Sequence, residues 1–558
     1  MKYSISGLIF SLVLSLAASG QNYPRNYFRN PLNIPLQLVG NFGELRTNHW
    51  HMGLDIRTQQ RENLPVFAAA EGYVSRVVVE PGGFGQAIYI THPNGYTTLY
   101  AHMNAFYPVL SRYVYDQQYQ LESWRVSLEI PKGKFPVKKG EYIGRSGNTG
   151  GSQGPHVHFE IRDAQSDKVL NPLLFGFPVA DAVPPAVTRL AMYERNKSTY
   201  EQSPQLLALR RSGRDYVVPD IRVGTSQVSF AIGAVDRFSG FANPNGIYRA
   251  RVSMDGNPVS EFILDRIDYN ETRYMNAHID YPYQKRGGAA LQHLSPLPGA
   301  MGVPYAVHNG DGIIRLDDGE RHDIVIDVWD ANKNHTAIRF GIRKDQSLAT
   351  TTPIQEEKFI PGHVNIFERD NFELFTTEKT MYDSVRLQYS ESAGAAGAVS
   401  GAHTFLGPHI PVHDSVTVRI RPAIPLTAEQ AARVIIRCTS GSRTYVQRAR
   451  WHKGWLVATF RQFGTWQAFL DTEPATVNAP PTNLSRASSI RLTPVDNFKT
   501  IRSFRAELDG RWLRFSNDKG RTWVYHFDEK FPRGRHELKV TIEDEAGNVT
   551  VRTWQVTR

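Results

Sequence analysis

The sequence predicts an all-β chain: an antiparallel β-sheet domain at 21–180 followed by two or three β-sandwich (Ig-like) modules at 184–347, 355–475 and 480–558. Three observations carry this. Short β-branched or alternating runs are separated by glycine-rich turn pairs, stiff Pro-Pro dipeptides stand at the joints, and a weak internal repeat recurs behind each joint. The length of 558 residues asks for three or four domains in any case.

The first twenty residues stand apart. Lys2 precedes an apolar run from Ile5 to Ala18, closed by the small residues Ala18, Ser19 and Gly20, which is the layout of a secretory signal peptide cleaved near Gly20. The run is about 14 residues long, short of the roughly 20 that a membrane span needs. An uncleaved N-terminal anchor is the alternative reading. No cysteine follows the run to carry a lipid, and no later stretch reaches 18 uninterrupted apolar residues. The expectation is an exported, envelope-associated protein, periplasmic or extracellular, with no membrane span after cleavage.

Residues 36–175 read as short strands: Ala87 to His92, Thr97 to His102 and His156 to Arg162, with turns at Pro81-Gly82-Gly83 and Asn94-Gly95. No long 3.6-residue period appears there. Beyond it, Pro184-Pro185 and Pro480-Pro481 mark linkers. Tyr248 to Gly256 resembles Phe504 to Gly510, and Gly319 to Thr336 aligns with Gly534 to Thr550 once one residue near Glu320 is dropped. Both later copies place an Asp-x-x-x-Asn turn between two strands, the closing hairpin of a β-sandwich. The 355–475 stretch is a third β module, with Ser390 to Ala402 as a surface loop and a helical turn capped by Thr427. Cys438 reads as a buried strand residue, and as the lone cysteine it excludes an intramolecular disulfide and a thiolate-rich metal site.

Composition bounds the partners. A hydrophobic content of 41% with 11% aromatics excludes general disorder and a fibrous architecture. The net charge of +10 is uneven: +3 over 21–180, zero over 181–350 and +6 over 351–558. Its densest run holds Arg433, Arg437, Arg443, Arg448, Arg450 and Lys453 with no acidic residue between them, which suits a solvated strand face or contact with an anionic envelope polymer. Export sets a nucleic-acid partner aside.

The residues that carry chemistry lie in the first domain. His51 and Asp55 are four apart, and His156 and His158 two apart. Even spacing on a strand puts each pair on one face. Two imidazoles and a carboxylate form the donor set of catalytic zinc, leaving a fourth position for water. The spacing leaves open which of His156 and His158 would bind. Motifs for other chemistries are missing: there is no His-Glu-x-x-His, no phosphate-binding Gly-x-x-x-x-Gly-Lys, and Gly144-Arg-Ser-Gly lacks the spacing of a nucleophile elbow.

His51-Met-Gly-Leu-Asp55, Pro65 to Val74, Gly85 to Gly95, Tyr100-Ala-His102-Met, Val137 to Gly144, Ser146 to Gly150 and Gly154-Pro-His156-Val-His158 follow one another in an order that resembles the lysostaphin-type (LytM-like) peptidoglycan endopeptidases. These are zinc hydrolases with an antiparallel β fold, and the resemblance covers about residues 36–175. It implies Zn2+ held by His51, Asp55 and His158, with His102 and His156 as unligated histidines that activate water and stabilise the oxyanion. His49 rivals His51, but His51-x-Gly53-x-Asp55 favours His51. Glu160, on the ligand face, reads as a supporting residue and His92 as structural. One departure is an insertion at about 106–135, rich in Tyr and holding Trp124, which either shapes or covers a groove or is an elaborated surface hairpin.

The function this implies is a zinc endopeptidase that hydrolyses peptide bonds in peptidoglycan by metal-activated water. Its partners would be peptidoglycan peptides and, through the basic last third, an anionic polymer. A non-catalytic wall-binding regulator of other hydrolases and a secreted protease on Gly-rich proteins are the alternatives. Every ligand position is filled, which weighs against the regulator.

Overall fold

In the first domain, seven strands form the main path of a ten-stranded antiparallel sheet around the segments expected to carry chemistry. They are β1 (Leu38–Gly40), β2 (Leu54–Arg57), β3 (Gly72–Val79), β4 (Gln86–Thr91), β5 (Tyr96–Ala101), β6 (Val126–Glu129) and β7 (His156–Asp163), in the order β1-β2-β7-β5-β4-β3-β6. The coordinates are a computed structural model describing residues 23–300, 304–308, 310–348 and 357–558. The signal-peptide reading of residues 1–20 lies outside them. Among the described residues strand accounts for 44% and helix for 9%, as an all-β chain requires.

Period-2 alternation explains β7. Val157, Phe159 and Ile161 are fully buried and pack with Ile88, Ile90 and Tyr100 in the domain core. Their alternates His156, His158, Glu160 and Arg162 therefore share the other face. That face is also occluded, since Glu160 and Arg162 are 0% and 2% exposed. The strand is thus buried on both sides, with polar groups compensated on one of them.

The insertion is not an elaborated hairpin. Pro108–Gln120 is an α-helix (α1), and β6 follows it as the sheet's edge strand. Pro108 sits at the first helical position, where its fixed φ suits a helix start. The helix escapes a period reading because it buries only Leu110, Val114 and Gln118 and has no side-chain cap. Its outer face docks on the last module instead. Tyr119 packs on Trp512 at 5.1 Å between ring centroids, the Tyr115 hydroxyl donates to Asp528 (2.9 Å), and Arg505 reaches Glu122 (2.7 Å).

The later repeats fold alike. Arg249–Met254 pairs with His322–Trp329, which turns into His335–Lys344. Likewise Ile501–Leu508 pairs with Arg535–Asp544, which turns into Val549–Thr557. Between them lie two five-stranded sheets, with Cys438 fully buried on Val434–Ser440. Thr427 caps Ala428–Ala431 in a capping box with Gln430. The Ser390 to Ala402 stretch is not wholly a surface loop: it begins in the strand Tyr389–Ser392, and Val399 and Ser400 are buried.

Candidate metal centre

β2 and β7 run antiparallel with Asp55 directly opposite His158, and opposed residues project to the same face. His156, two residues earlier on β7, shares that face, as the spacing predicts. His51 reaches the centre differently. It is not on one strand with Asp55, because the chain bends at Gly53 before β2 begins. Its placement comes from backbone bonds: His51 N–H donates to the Glu44 carbonyl (2.8 Å), and Gly43 N–H to the His51 carbonyl (2.8 Å). Gly53 is obligatory here, since a Cβ would stand 2.5 Å from the Phe159 carbonyl oxygen and 2.9 Å from the His158 ring.

Three donor atoms converge. His51 Nε2 lies 2.9 Å from Asp55 Oδ1 and 3.1 Å from His158 Nδ1, and His158 Nδ1 lies 3.0 Å from Asp55 Oδ1. The opposite ring nitrogens are already committed. His51 Nδ1 donates to the Asn41 carbonyl (2.7 Å) and His158 Nε2 to Glu160 (2.9 Å). With those protons placed outward, each ring in its neutral form would aim a lone pair, not a proton, at a carboxylate oxygen. Three acceptors face to face repel unless a cation sits among them, so the residues present fit a metal ion.

The electrostatics agree. Burial opposes ionisation of Asp55, but the His51 charge and hydrogen bonds from all three imidazoles outweigh it and hold the carboxyl well below the usual range. Burial also opposes a charge on His158, yet the hydrogen bonds to Asp55 and Glu160 lift it to about 9: with no ion among the donors a proton supplies the positive charge, and a metal ion would take that proton's place. Glu160 is itself held to about 2 because the Arg162 guanidinium and its partners overcome burial. Arg162 Nε donates to it at 2.7 Å, and the hydroxyl of Tyr269, from the second module, donates to its other oxygen.

Two further imidazoles border the donors. His156 Nδ1 donates to the Gly154 carbonyl (2.8 Å), leaving Nε2 facing Asp55 Oδ1 at 3.3 Å. His102 follows β5 in a left-handed conformation, φ 60°. Ala101 opposes His158, so an uninterrupted strand would send His102 to the far face, and the turn brings its ring 4.7 Å from His156 instead. His102 Nδ1 donates to the Thr149 carbonyl (2.9 Å). Burial, reinforced by the adjoining His156 and His158, pushes its pKa down to about 3, so it is neutral at ordinary pH.

His49 is exposed and bonded to the Thr47 carbonyl, outside the cluster. His92 lies beyond β4 between the Glu71 carbonyl and Thr98, in a structural position. Sequence reasoning missed Asn41, whose contribution is a backbone carbonyl, and Tyr269, 109 residues from Glu160. It also missed Asp518 and Lys519. Asp518 accepts from Gly150 N–H (2.8 Å) and Lys519 donates to the Ser152 carbonyl (2.7 Å), so the last module touches the loop that holds His102 and His156. A cleft of ≈ 480 Å³ lies between α1 and that module; none of the five centre residues lines it, but Thr149, whose carbonyl holds His102, does.

Two imidazoles and a carboxylate gathered beside two further histidines make this a domain with a candidate metal site. Residues 49–118 and 120–172 match peptidase family M23, and the chain carries a domain of that family. Residues 356–471 match the Zu5-like domain. An uncharacterized metalloprotease of Haemophilus influenzae is 33% identical over 128 residues, 23% of this chain and 21% of that protein. The DD-carboxypeptidase/endopeptidase Mpg of Neisseria meningitidis is 32% identical over 137 residues, 25% of each. The chain thus spans no more than a quarter of these relatives' length. The catalytic domain of lysostaphin from Staphylococcus simulans aligns at 24% identity and a TM-score of 0.17, covering 24% of this chain and 87% of that one.

Proposed function

We propose that the protein is a zinc endopeptidase of the bacterial envelope that hydrolyses peptide bonds in peptidoglycan. The observation that carries this reading is the convergence of His51 Nε2, Asp55 Oδ1 and His158 Nδ1, with the outer ring nitrogens already spent on Asn41 and Glu160. Zn2+ held there would supply a Lewis acid for the scissile carbonyl and lower the pKa of a water towards about 7. His102, kept neutral by burial and oriented by Thr149, is placed to accept a proton from an attacking water. His156 directs Nε2 at the same point and, once that nitrogen has taken up a proton, is placed to donate to an oxyanion. The name of the Neisseria relative favours a D,D-peptide bond as the one cut.

Among the described residues no helix is long and apolar enough to cross a membrane. The basic run of the third module offers fewer unengaged side chains than its sequence suggests. Arg433 donates to Gly547 and Asn548, Arg448 to the Ala432 carbonyl, and Arg437 stacks on Phe469. Arg443, Arg450 and Lys453 are exposed and would make any contact with an anionic polymer.

Digestion of purified sacculi followed by mass analysis of the fragments tests the reading. The zinc-loaded chain is expected to release fragments cut at a peptide bond, and His51→Ala none. Fragments cut in the glycan, or equal release by His51→Ala, would overturn it.

A further inference from the structure

The two repeated modules share a second feature. In each, the Asp-x-x-x-Asn turn folds back on itself: Asp330 accepts from Asn334 N–H (2.8 Å) and its side-chain amide (2.7 Å), and Asp544 does the same with Asn548 (2.8 and 2.9 Å). Two more carboxylates join each turn. Asp181 and Asp236 stand with Asp330, and Asp471 and Asp496 with Asp544, one oxygen from each within 4.8 Å of the others.

Their origins in the chain correspond. The first strand of the second module pairs Ala186 with Val235, and the last module pairs Thr476 with Val495. Asp181 and Asp471 each precede the first of these residues by five positions, and Asp236 and Asp496 each follow the second directly. One carboxylate thus comes from the segment leading into the module, one from a strand end and one from the closing turn, twice over.

Both trios hold buried oxygens that the protein leaves unsatisfied. Asp236 is 2% exposed and Asp496 6%, and Oδ1 of each has no hydrogen-bond partner. Asp181 Oδ2 is likewise unpartnered. Asn245 adds an independent pointer. It opposes Asp236 across an antiparallel bridge, so its side chain projects to the same face, and its Oδ1 is buried and unpartnered although the residue is 3% exposed. A buried oxygen without a donor is costly, and carboxylates gathered together multiply the cost. Ion pairing does not relieve it: Arg237, next to Asp236, is exposed and donates to the Ala242 carbonyl (3.3 Å). Burial and the neighbouring carboxylates accordingly push Asp236 up to about 8, and raise Asp471 and Asp496 as well.

We propose that each trio binds one Ca2+ ion, giving the chain two calcium sites, one where the first domain leads into the second module and one where the third leads into the last. All-oxygen, carboxylate-rich donor sets suit a hard cation and disfavour zinc, which the His-containing centre would take. Each ion would tie the incoming segment to a strand end and the closing turn, fixing the angle at which the module leaves its predecessor. The second site bears on the metal centre indirectly, because the last module carries Asp518 and Lys519 to the 150–152 loop.

The test uses the full chain, dialysed against EGTA, reloaded with one equivalent of Zn2+ and titrated calorimetrically with CaCl2. Two equivalents of Ca2+ are expected per chain, with a Tm that rises with CaCl2 concentration. Asp236→Asn and Asp496→Asn should each remove one equivalent and the double variant both, while His51→Ala keeps two. Neither heat nor a Tm shift up to millimolar CaCl2 in the unaltered chain would overturn the proposal, whatever the variants do. So would two equivalents retained by the double variant, or binding of MgCl2 without CaCl2. None of these readouts depends on peptidase activity, so failure here and failure of the peptidase reading are separable.

Discussion

His51 and His158 each spend one ring nitrogen on an anchor, and those anchors decide which nitrogen faces the centre. Glu160 is the anchor a substitution can reach. It is wholly buried between His158, Arg162 and Tyr269, so Glu160→Gln keeps the shape while removing the charge that fixes the His158 tautomer. Zinc affinity measured by chelator competition should fall about ten- to a hundredfold. An unchanged affinity would mean that Glu160 only fills space. The His156/His158 spacing is readable as sequence because strand periodicity links spacing to face, whereas His51 meets Asp55 from outside the strand that carries it. The anchors are not readable: Asn41 acts through its backbone, and Tyr269 arrives from another module.

At the scale of elements, close backbone approach at Gly53 and a buried histidine beyond β4 carry the sheet's geometry. Gly53→Ala would press a methyl group against the Phe159 carbonyl and the His158 ring, separating β2 from β7. A loss of roughly 1–3 kcal/mol in denaturant unfolding is expected, with weaker zinc binding. Stability equal to the unaltered chain would show that the sheet gives way freely. His92 predicts a pH dependence. Burial holds it down to about 4, against about 6.5 unfolded, so the folded state prefers the neutral ring. Its contribution is complete above pH 6.5 and drains away as pH falls towards 4, by about 2 kcal/mol at pH 5. The stability gap between the unaltered chain and His92→Gln should therefore shrink between pH 7 and pH 5, and a constant gap would contradict this. The strands were legible because alternation survives in short segments. Helix α1 was not, because its apolar positions are few and its outer face is shaped by Trp512, nearly 400 residues away in sequence.

In the whole molecule, the first domain is not self-sufficient around its candidate metal centre. Trp50 and Met52 flank His51, yet with Phe42 and Val169 they pack into the core of the second module beside Val187 and Phe262. Asn41, whose carbonyl holds His51, is itself held by paired bonds to Gly246 (2.8 and 2.9 Å). A chain ending at residue 180 should bind zinc at least about tenfold more weakly, a difference of about 1.4 kcal/mol. Equal affinity would show that the His51 segment is shaped within the first domain. No sequence pattern announces this dependence, since Trp50 and Met52 read as ordinary core residues and the core they join begins more than a hundred residues later.

The central claim is that one zinc ion, held by His51, Asp55 and His158 and served by His102 and His156, hydrolyses peptidoglycan peptides. Its most direct test is the rate of soluble fragment release from sacculi as metal-free chain is titrated with Zn2+, run beside His102→Ala. The rate should rise linearly to one equivalent and then level off, while His102→Ala binds the same equivalent and releases fragments about 10²- to 10⁴-fold more slowly. Release that is independent of Zn2+, or undiminished in His102→Ala, would contradict the account.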